Sequence, residues 1–323
     1  MTAALHVFQL VAAVFLMGCE SERPAAGMTP GPQAQQQAQQ PATPARRGPL
    51  CLELEPPRRP VLLGEPVTLI ASVVNCSSQV QPVHDLLRPD FGFLQIWLQP
   101  PSQPELLHKP VTYIREGRGK PVKSLAPGER LSAFAPVYFG VDGWTIRQPG
   151  RYRARAEYGA ESVKLESPPV EFVVAPPETA ADRQAAELMM SREVGMFLAT
   201  GRDDGGKGSE RLAQVEQQYG QSRLAPYARV MRAVASSRGD FDPETKAFRK
   251  DGCDRAIDPL ARAIPQIADP LLAVSGTTAL VRCLREAGRH GEANQAASTL
   301  LRSHPAARDV PEVLLLRGSA RKE

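Results

Sequence analysis

Two stretches and four scattered histidines are the residues whose types and spacing could do chemistry. In GRDDGGKGS, residues 201–209, glycines, a lysine and a hydroxyl sit between an apolar run and a helix-like segment, the order of a phosphate cradle. Gly201, Gly206 and Lys207 fit such a cradle. Gly208 stands where a magnesium-binding hydroxyl is needed, and Asp203 and Asp204 would face phosphates with like charge. The preceding VGMFLAT continues a helical pattern, so the loop reads as a helix-to-helix turn with Ser209 as the next N-cap, and no nucleotide is expected. In GDFDPETKAFRKD, Asp240, Asp242, Glu244 and Asp251 take calcium-loop positions, but Thr245 replaces the required glycine and Pro243 intrudes. No metal is expected. His84, His108, His290 and His304 have no nucleophile or carboxylate at a catalytic spacing, and there is no nucleophile elbow or metalloprotease helix. No catalytic residue and no cofactor is assigned.

The elements that would position any site begin with the N-terminus. Val7–Met17 is almost wholly apolar, the length of an export signal and too short for a hydrocarbon core of roughly 30 Å. It ends Leu16-Met17-Gly18-Cys19, which resembles the lipobox of bacterial lipoproteins, although the segment before it has His6 and no Lys or Arg. The resemblance implies that residues 1–18 are a signal peptide, that Cys19 becomes the acylated first residue, and that the chain is membrane-attached. Glu20 is not the Asp that signals inner-membrane retention in that family, so outer-membrane delivery is the expectation. Residues 19–49, rich in Pro, Gln and Ala, cannot bury enough apolar surface to fold and read as a tether reaching on the order of 30 Å.

The 323-residue chain has a formal net charge of only +4, too little to argue for nucleic-acid binding. Export places Cys51, Cys76, Cys253 and Cys283 where disulfides persist. Their positions predict one bond in each half, Cys51–Cys76 and Cys253–Cys283, and strand pairing of 51–54 with 67–75 sets Cys51 opposite Cys76. Zinc is disfavoured because no Cys-x-x-Cys or close Cys/His cluster is present.

Residues 50–176 read as short strands with Pro-Gly turns and no helix pattern, a β-sandwich. Val67, Leu69, Ala71 and Val73 share one face, and in RYRARAEY Tyr152, Ala154, Ala156 and Tyr158 alternate with Arg151, Arg153, Arg155 and Glu157. GEPVTLIASVVN and PGRYRARAEY resemble strands of Ig-like and fibronectin-like bacterial surface modules, a resemblance that implies a fold more than a function. Trp97, sharing a face with Gln95 and Gln99, is either a sugar or peptide platform or a side chain covered by its neighbours. Arg151, Arg153 and Arg155 are either a basic stripe for headgroups or an acidic partner, or a solvated strand face.

Residues 177–323 change to helical periodicity, with apolar positions three and four apart at Leu212, Val215 and Tyr219 and at Leu280, Cys283, Leu284 and Ala287. TALVRCLREAGRHGEANQAASTLLRSHP resembles a tetratricopeptide repeat, with Leu280, Gly288, Ala293 and Pro305 in register; Val281 and Leu300 depart from the motif. Upstream segments around Ala256, Ala263 and Gly220 read as further hairpins, about three in all.

The fold class expected is therefore an all-β Ig-like sandwich followed by an all-α, tetratricopeptide-like domain. The function expected is that of a non-enzymatic bacterial envelope lipoprotein, its helical stack binding another envelope protein. The alternative is a cell-wall or polysaccharide-binding lipoprotein using the sandwich, and an enzyme with an unrecognised site is the third reading.

Overall fold

The computed structural model describes residues 48–311 except 86, 113–121, 161–162, 202, 204–205, 239–240, 243–246 and 249–251, together with 313 and 316. The lipobox, Cys19, most of the tether and most of the tested calcium loop lie outside these residues.

Among the described residues a β-sheet region is followed by seven α-helices. The strands are β1 (Leu50–Glu55), β2 (Val61–Leu62), β3 (Thr68–Asn75), β4 (Gln81–His84), β5 (Leu94–Gln99), β6 (Leu106–His108), β7 (Val122–Leu125), β8 (Arg130–Pro136), β9 (Phe139–Gly140), β10 (Gly143–Trp144), β11 (Gly150–Ala160), β12 (Val163–Glu166) and β13 (Val170–Ala175). One sheet has the order β1-β3-β8 and the other β2-β13-β11-β5-β6, with β12 folding back onto β11. Leu52, Leu69 and Val73 of the first sheet share one apolar core with Ile96, Leu98, Tyr152 and Phe172 of the second. That makes a sandwich.

The expected alternation holds on β11, where Tyr152, Ala154, Ala156 and Tyr158 are buried. The Tyr152 hydroxyl donates to the Gln148 carbonyl at 2.9 Å, pinning the strand's start to the turn before it as a tyrosine corner does. On β3 the alternation fails, because all eight residues are buried. Leu69, Ala71 and Val73 face the sandwich core, whereas Ile70 joins Leu62 and Phe134 in the core of the helices. The sheet is thus covered on both sides.

The helices are α1 (Ala180–Met189), α2 (Arg192–Thr200), α3 (Lys207–Gln218), α4 (Ala225–Ser236), α5 (Gly252–Ala263), α6 (Pro270–Glu286) and α7 (His290–Ser303). From α2 onward each packs on the next in chain order, and α6 and α7 turn about Gly288 at φ 72°. Leu212, Val215, Leu280, Cys283 and Leu284 are buried as their spacing implied, and Ala287 is exposed beyond the end of α6.

Both disulfides form as paired in the sequence reading, Cys51–Cys76 and Cys253–Cys283. The register differs by two residues: Leu50 pairs with Asn75 and Cys51 with Val74, so the bond runs diagonally to Cys76 just past the strand. Two disulfides suggest an extracytoplasmic protein. No described helix is long and apolar enough to cross a membrane.

The glycine loop joins α2 to α3 rather than a strand to a helix. Its cap is not Ser209, which lies inside α3. The Asp203 carboxylate instead accepts the Gly208 and Ser209 amides at 2.9 and 2.8 Å, because a carboxylate just before the helix complements the exposed amides of its first turn.

Candidate ligand site at the sheet–helix junction

The outer face of β3 and β8 and the loop before β3 meet α2, α4 and the start of α6. Close approach is built into two glycines. A Cβ on Gly195 of α2 would sit 2.2 Å from the Phe139 ring, and one on Gly64, at φ 95°, 3.2 Å from the Ala186 backbone. Trp144 Nε1 donates to the Ser191 carbonyl at 2.9 Å across the same boundary.

A polar cluster then crosses it. Arg59 donates to Glu65 Oε1 at 3.3 Å and to the Tyr227 hydroxyl at 3.2 Å, and Arg223 donates to Glu65 Oε1 at 3.2 Å. The Glu65 side chain is 2% exposed, and burial raises its pKa even though Arg59 and Arg223 pull it down. Tyr227 also accepts the Ala268 amide at 3.1 Å. Both contacts use its oxygen as acceptor, which leaves the hydroxyl proton to donate.

Asp269 is the N-cap of α6, its Oδ1 accepting the Leu272 amide at 2.8 Å. Its Oδ2 and the Thr68 hydroxyl are buried without a hydrogen-bond partner among the described residues. Burial pushes Asp269 up to about 6, tempered by the Leu272 amide and by the Thr68 hydroxyl and amide beside it, while the Glu65 charge pushes it further up.

Two clefts flank this carboxylate. The first, of about 320 Å³, runs between Pro57, Val67 and Ile70 of the sandwich and Tyr227, Ile267 and Ala307 of the helical side. Arg58 and His304 also line it; Arg58 is exposed, and burial, then the Arg58 charge, lowers the His304 pKa. The second, of about 290 Å³, lies between Phe134, Pro136 and Tyr138 and Met231 and Leu272. Pro66 and Asp269 line both. Apolar walls around a few convergent polar groups suit binding of a small group or side chain. No nucleophile stands in hydrogen-bond contact with a base in this cluster, and no group of three metal-ligating side chains occurs among the described residues.

The residues singled out by sequence lie elsewhere. Trp97 does share its face with Gln95 and Gln99, but the Arg155 guanidinium stacks over its ring at 4.9 Å. Arg155 is held by Glu105 at 2.8 Å, by Glu166 at 3.2 Å and by Glu157. Arg151 pairs with Glu171 at 2.7 Å, and Arg153 is exposed beside them. The arginine stripe is therefore interleaved with acids. His108 is buried with Nδ1 3.1 Å from the Thr145 hydroxyl, and burial lowers it to about 4. Arg59, Glu65, Tyr227 and Asp269 were not singled out. The one legible signal was Asp269-Pro270, a helix-start pair whose burial depends on the sandwich docking against it.

No family model matches the chain, and no curated protein matches it. Among solved structures, a β-glucosidase from Listeria innocua aligns at 15% identity and TM-score 0.23 over 39% of this chain and 16% of its own length. The chain thus spans a small part of that enzyme. The sporulation control protein Spo0M from Bacillus subtilis aligns at 9% identity and TM-score 0.25 over 44% of this chain and 55% of that one. Escherichia coli alpha-2-macroglobulin aligns at 14% identity and TM-score 0.22 over 85% and 22%. Likenesses this low inform neither the site nor the activity.

Proposed function

We propose that the chain is a lipid-anchored, extracytoplasmic binding protein without catalytic activity. It recognises another protein of the bacterial envelope through its tetratricopeptide-like helices and the junction where they meet the Ig-like sandwich. The observation that carries this reading is the junction itself, where two clefts flank a buried carboxylate between sandwich and helices. The lipobox at Cys19 and the two disulfides support the extracytoplasmic address, and Glu20 favours the outer membrane. A glycan-binding role through Trp97 would require Arg155 to leave the indole face.

Affinity capture from solubilised envelopes tests it, with wild type beside Arg58→Glu at the cleft mouth and Val173→Glu on a remote exposed strand. The expected result is one envelope protein recovered by wild type and Val173→Glu and lost with Arg58→Glu. Recovery that is absent, or indifferent to Arg58, contradicts the reading.

A further inference from the structure

Arg58 and Arg59 share one loop, between β1 and β2, and the fold uses them differently. Pro57 before the pair and Pro60 after it restrict the backbone, so both side chains are presented with little freedom. Arg59 turns inward, to Glu65 at 3.3 Å and the Tyr227 hydroxyl at 3.2 Å. Arg58 is exposed on the wall of the first cleft and has neither an ion pair nor a hydrogen bond among the described residues. From the helical wall of the same cleft comes His304, the C-cap of α7. Its amide donates to the Leu300 carbonyl at 2.9 Å and its carbonyl accepts the Ala307 amide at 3.1 Å, which fixes the backbone that carries the ring. The ring is half-buried and makes no hydrogen bond among the described residues. Burial, then the Arg58 charge, lowers its pKa, so it is neutral at physiological pH and near enough to Arg58 to feel it.

Three acids line this cleft, and each is already answered. Glu65 holds Arg59 and Arg223, and Asp269 caps α6 with Thr68 beside it. Glu55 stands 4.0 Å from Arg130 of β8, which does not line the cleft. Of the two arginines on the wall, Arg58 is therefore the one without an anionic partner. The surface beside it is largely apolar, with Pro57, Val67, Ile267 and Ala306. One uncompensated positive charge at the edge of an apolar wall suits a ligand with one negative charge and an apolar body. A carboxylate can accept two parallel N–H bonds from a guanidinium and a third from a neutral imidazole. A phosphate monoester would bring nearly a second negative charge toward Glu55 and Glu65, which disfavours it.

We propose that Arg58 and His304 form the head of a binding site for a carboxylate on an apolar chain, the carboxylate bridging the two side chains and the chain lying along Pro57, Ile267 and Ala306 in the first cleft. This rests on the junction being the binding site. A small alkyl carboxylate and the C-terminal carboxylate of a partner protein that ends in an apolar residue share this chemistry.

Calorimetric titration of the intact protein near neutral pH with hexanoate, n-hexanol and n-hexylamine tests the charge. A short peptide ending in leucine with a free carboxylate, beside its C-terminal amide, separates the two sources. Arg58→Gln removes the charge from an exposed side chain that holds no other residue, so the fold is kept. His304→Ala removes the second donor. Ala306→Trp fills the apolar part of the cleft and leaves both head groups in the sequence. Arg153→Gln, on an exposed strand face of the sandwich, is the control for loss of a remote positive charge.

The expected result is saturable binding of hexanoate or the free-acid peptide, weakened at least about tenfold by Arg58→Gln, weakened less by His304→Ala, abolished by Ala306→Trp and unchanged by Arg153→Gln. The tighter of the two probes identifies the source of the carboxylate. Hexanol, hexylamine and the peptide amide bind no more than weakly. Equal binding of hexanol or hexylamine, insensitive to Arg58→Gln but blocked by Ala306→Trp, overturns the carboxylate assignment while the cleft stands. Loss with Arg58→Gln but indifference to His304→Ala overturns the bridging of the two walls. Absence of binding by every probe overturns the assignment as well, and envelope capture with the Arg58 variant still decides the function separately.

Discussion

Glu65, in the loop before β3, and Arg223, just before α4, meet at 3.2 Å across the junction of sandwich and helices. The carboxylate is almost fully buried and also holds Arg59, so one side chain of the sandwich ties two segments of the chain together. Glu65→Ala is expected to destabilise the protein by about 1–3 kcal/mol. Both guanidiniums are partly exposed and can turn to water, which keeps the loss below that of a fully buried pair. Urea unfolding read by tyrosine and tryptophan fluorescence together measures it. Wild type is expected to show one transition, because Ile70 and Phe134 are part of the helical core.

Asp269 and His108 make opposing contributions to the pH dependence of stability. Asp269 is raised from 3.8 to about 6, so the native state holds its proton to higher pH than the unfolded chain, and stability falls as pH rises across that window. Glu65, also raised, acts in the same direction. His108 is lowered from 6.5 to about 4, so the unfolded chain takes up the proton first, and stability falls as pH drops across that window. Each effect is about 3 kcal/mol, and between pH 4 and 6 they largely cancel. Asp269→Asn is expected to lose stability on acidification from pH 6.5 to 4, and His108→Gln to gain it, as read by urea midpoints at each pH.

Gly195 and Gly291 are both helical glycines with opposite expected responses to alanine. A Cβ at 195 meets the Phe139 ring, whereas one at 291 meets nothing within 4 Å. Gly195→Ala should cost about 1–3 kcal/mol by overpacking the junction. Gly291→Ala should stabilise by up to about 1 kcal/mol through helix propensity. Thermal denaturation of the two variants distinguishes them, and equal effects would contradict the close approach of α2 to β9.

Trp97 is expected to become solvent-exposed in Arg155→Ala, with a red-shifted emission component and a loss of about 0.5–1 kcal/mol. Arg155→Lys should restore little, since the planar guanidinium both stacks and bridges Glu105 through two nitrogens. Unchanged emission would mean that Arg155 does not cover the indole in solution.

The alternating pattern of β11 and the helical periods around Leu212 and Leu280 are local, so the two structural classes and their order were legible in the sequence. The disulfides were legible because each pair lies within one class. The double burial of β3 was not, because Ile70 and Phe134 look like ordinary strand residues until the helices cover them. The candidate site was hidden for the same reason. Asp269 reads as a plain helix cap, and Gly195 as a tolerated helical glycine, until the sandwich approaches from the other half of the chain. Trp97 and the arginines were conspicuous by type, whereas their engagement with Glu105 and Glu166 is set by tertiary pairing.

The claim that the protein works as a lipid-anchored binding protein outside the cytoplasm is tested most directly at Cys19. Intact mass and membrane fractionation of the chain expressed in a bacterial host would be compared with Cys19→Ala. The expected result is a membrane-bound species whose mass begins at Cys19 and carries acyl chains, with both features lost in the variant. A soluble, unacylated product retaining residues 1–18 would contradict the anchor and the address on which the proposed function rests.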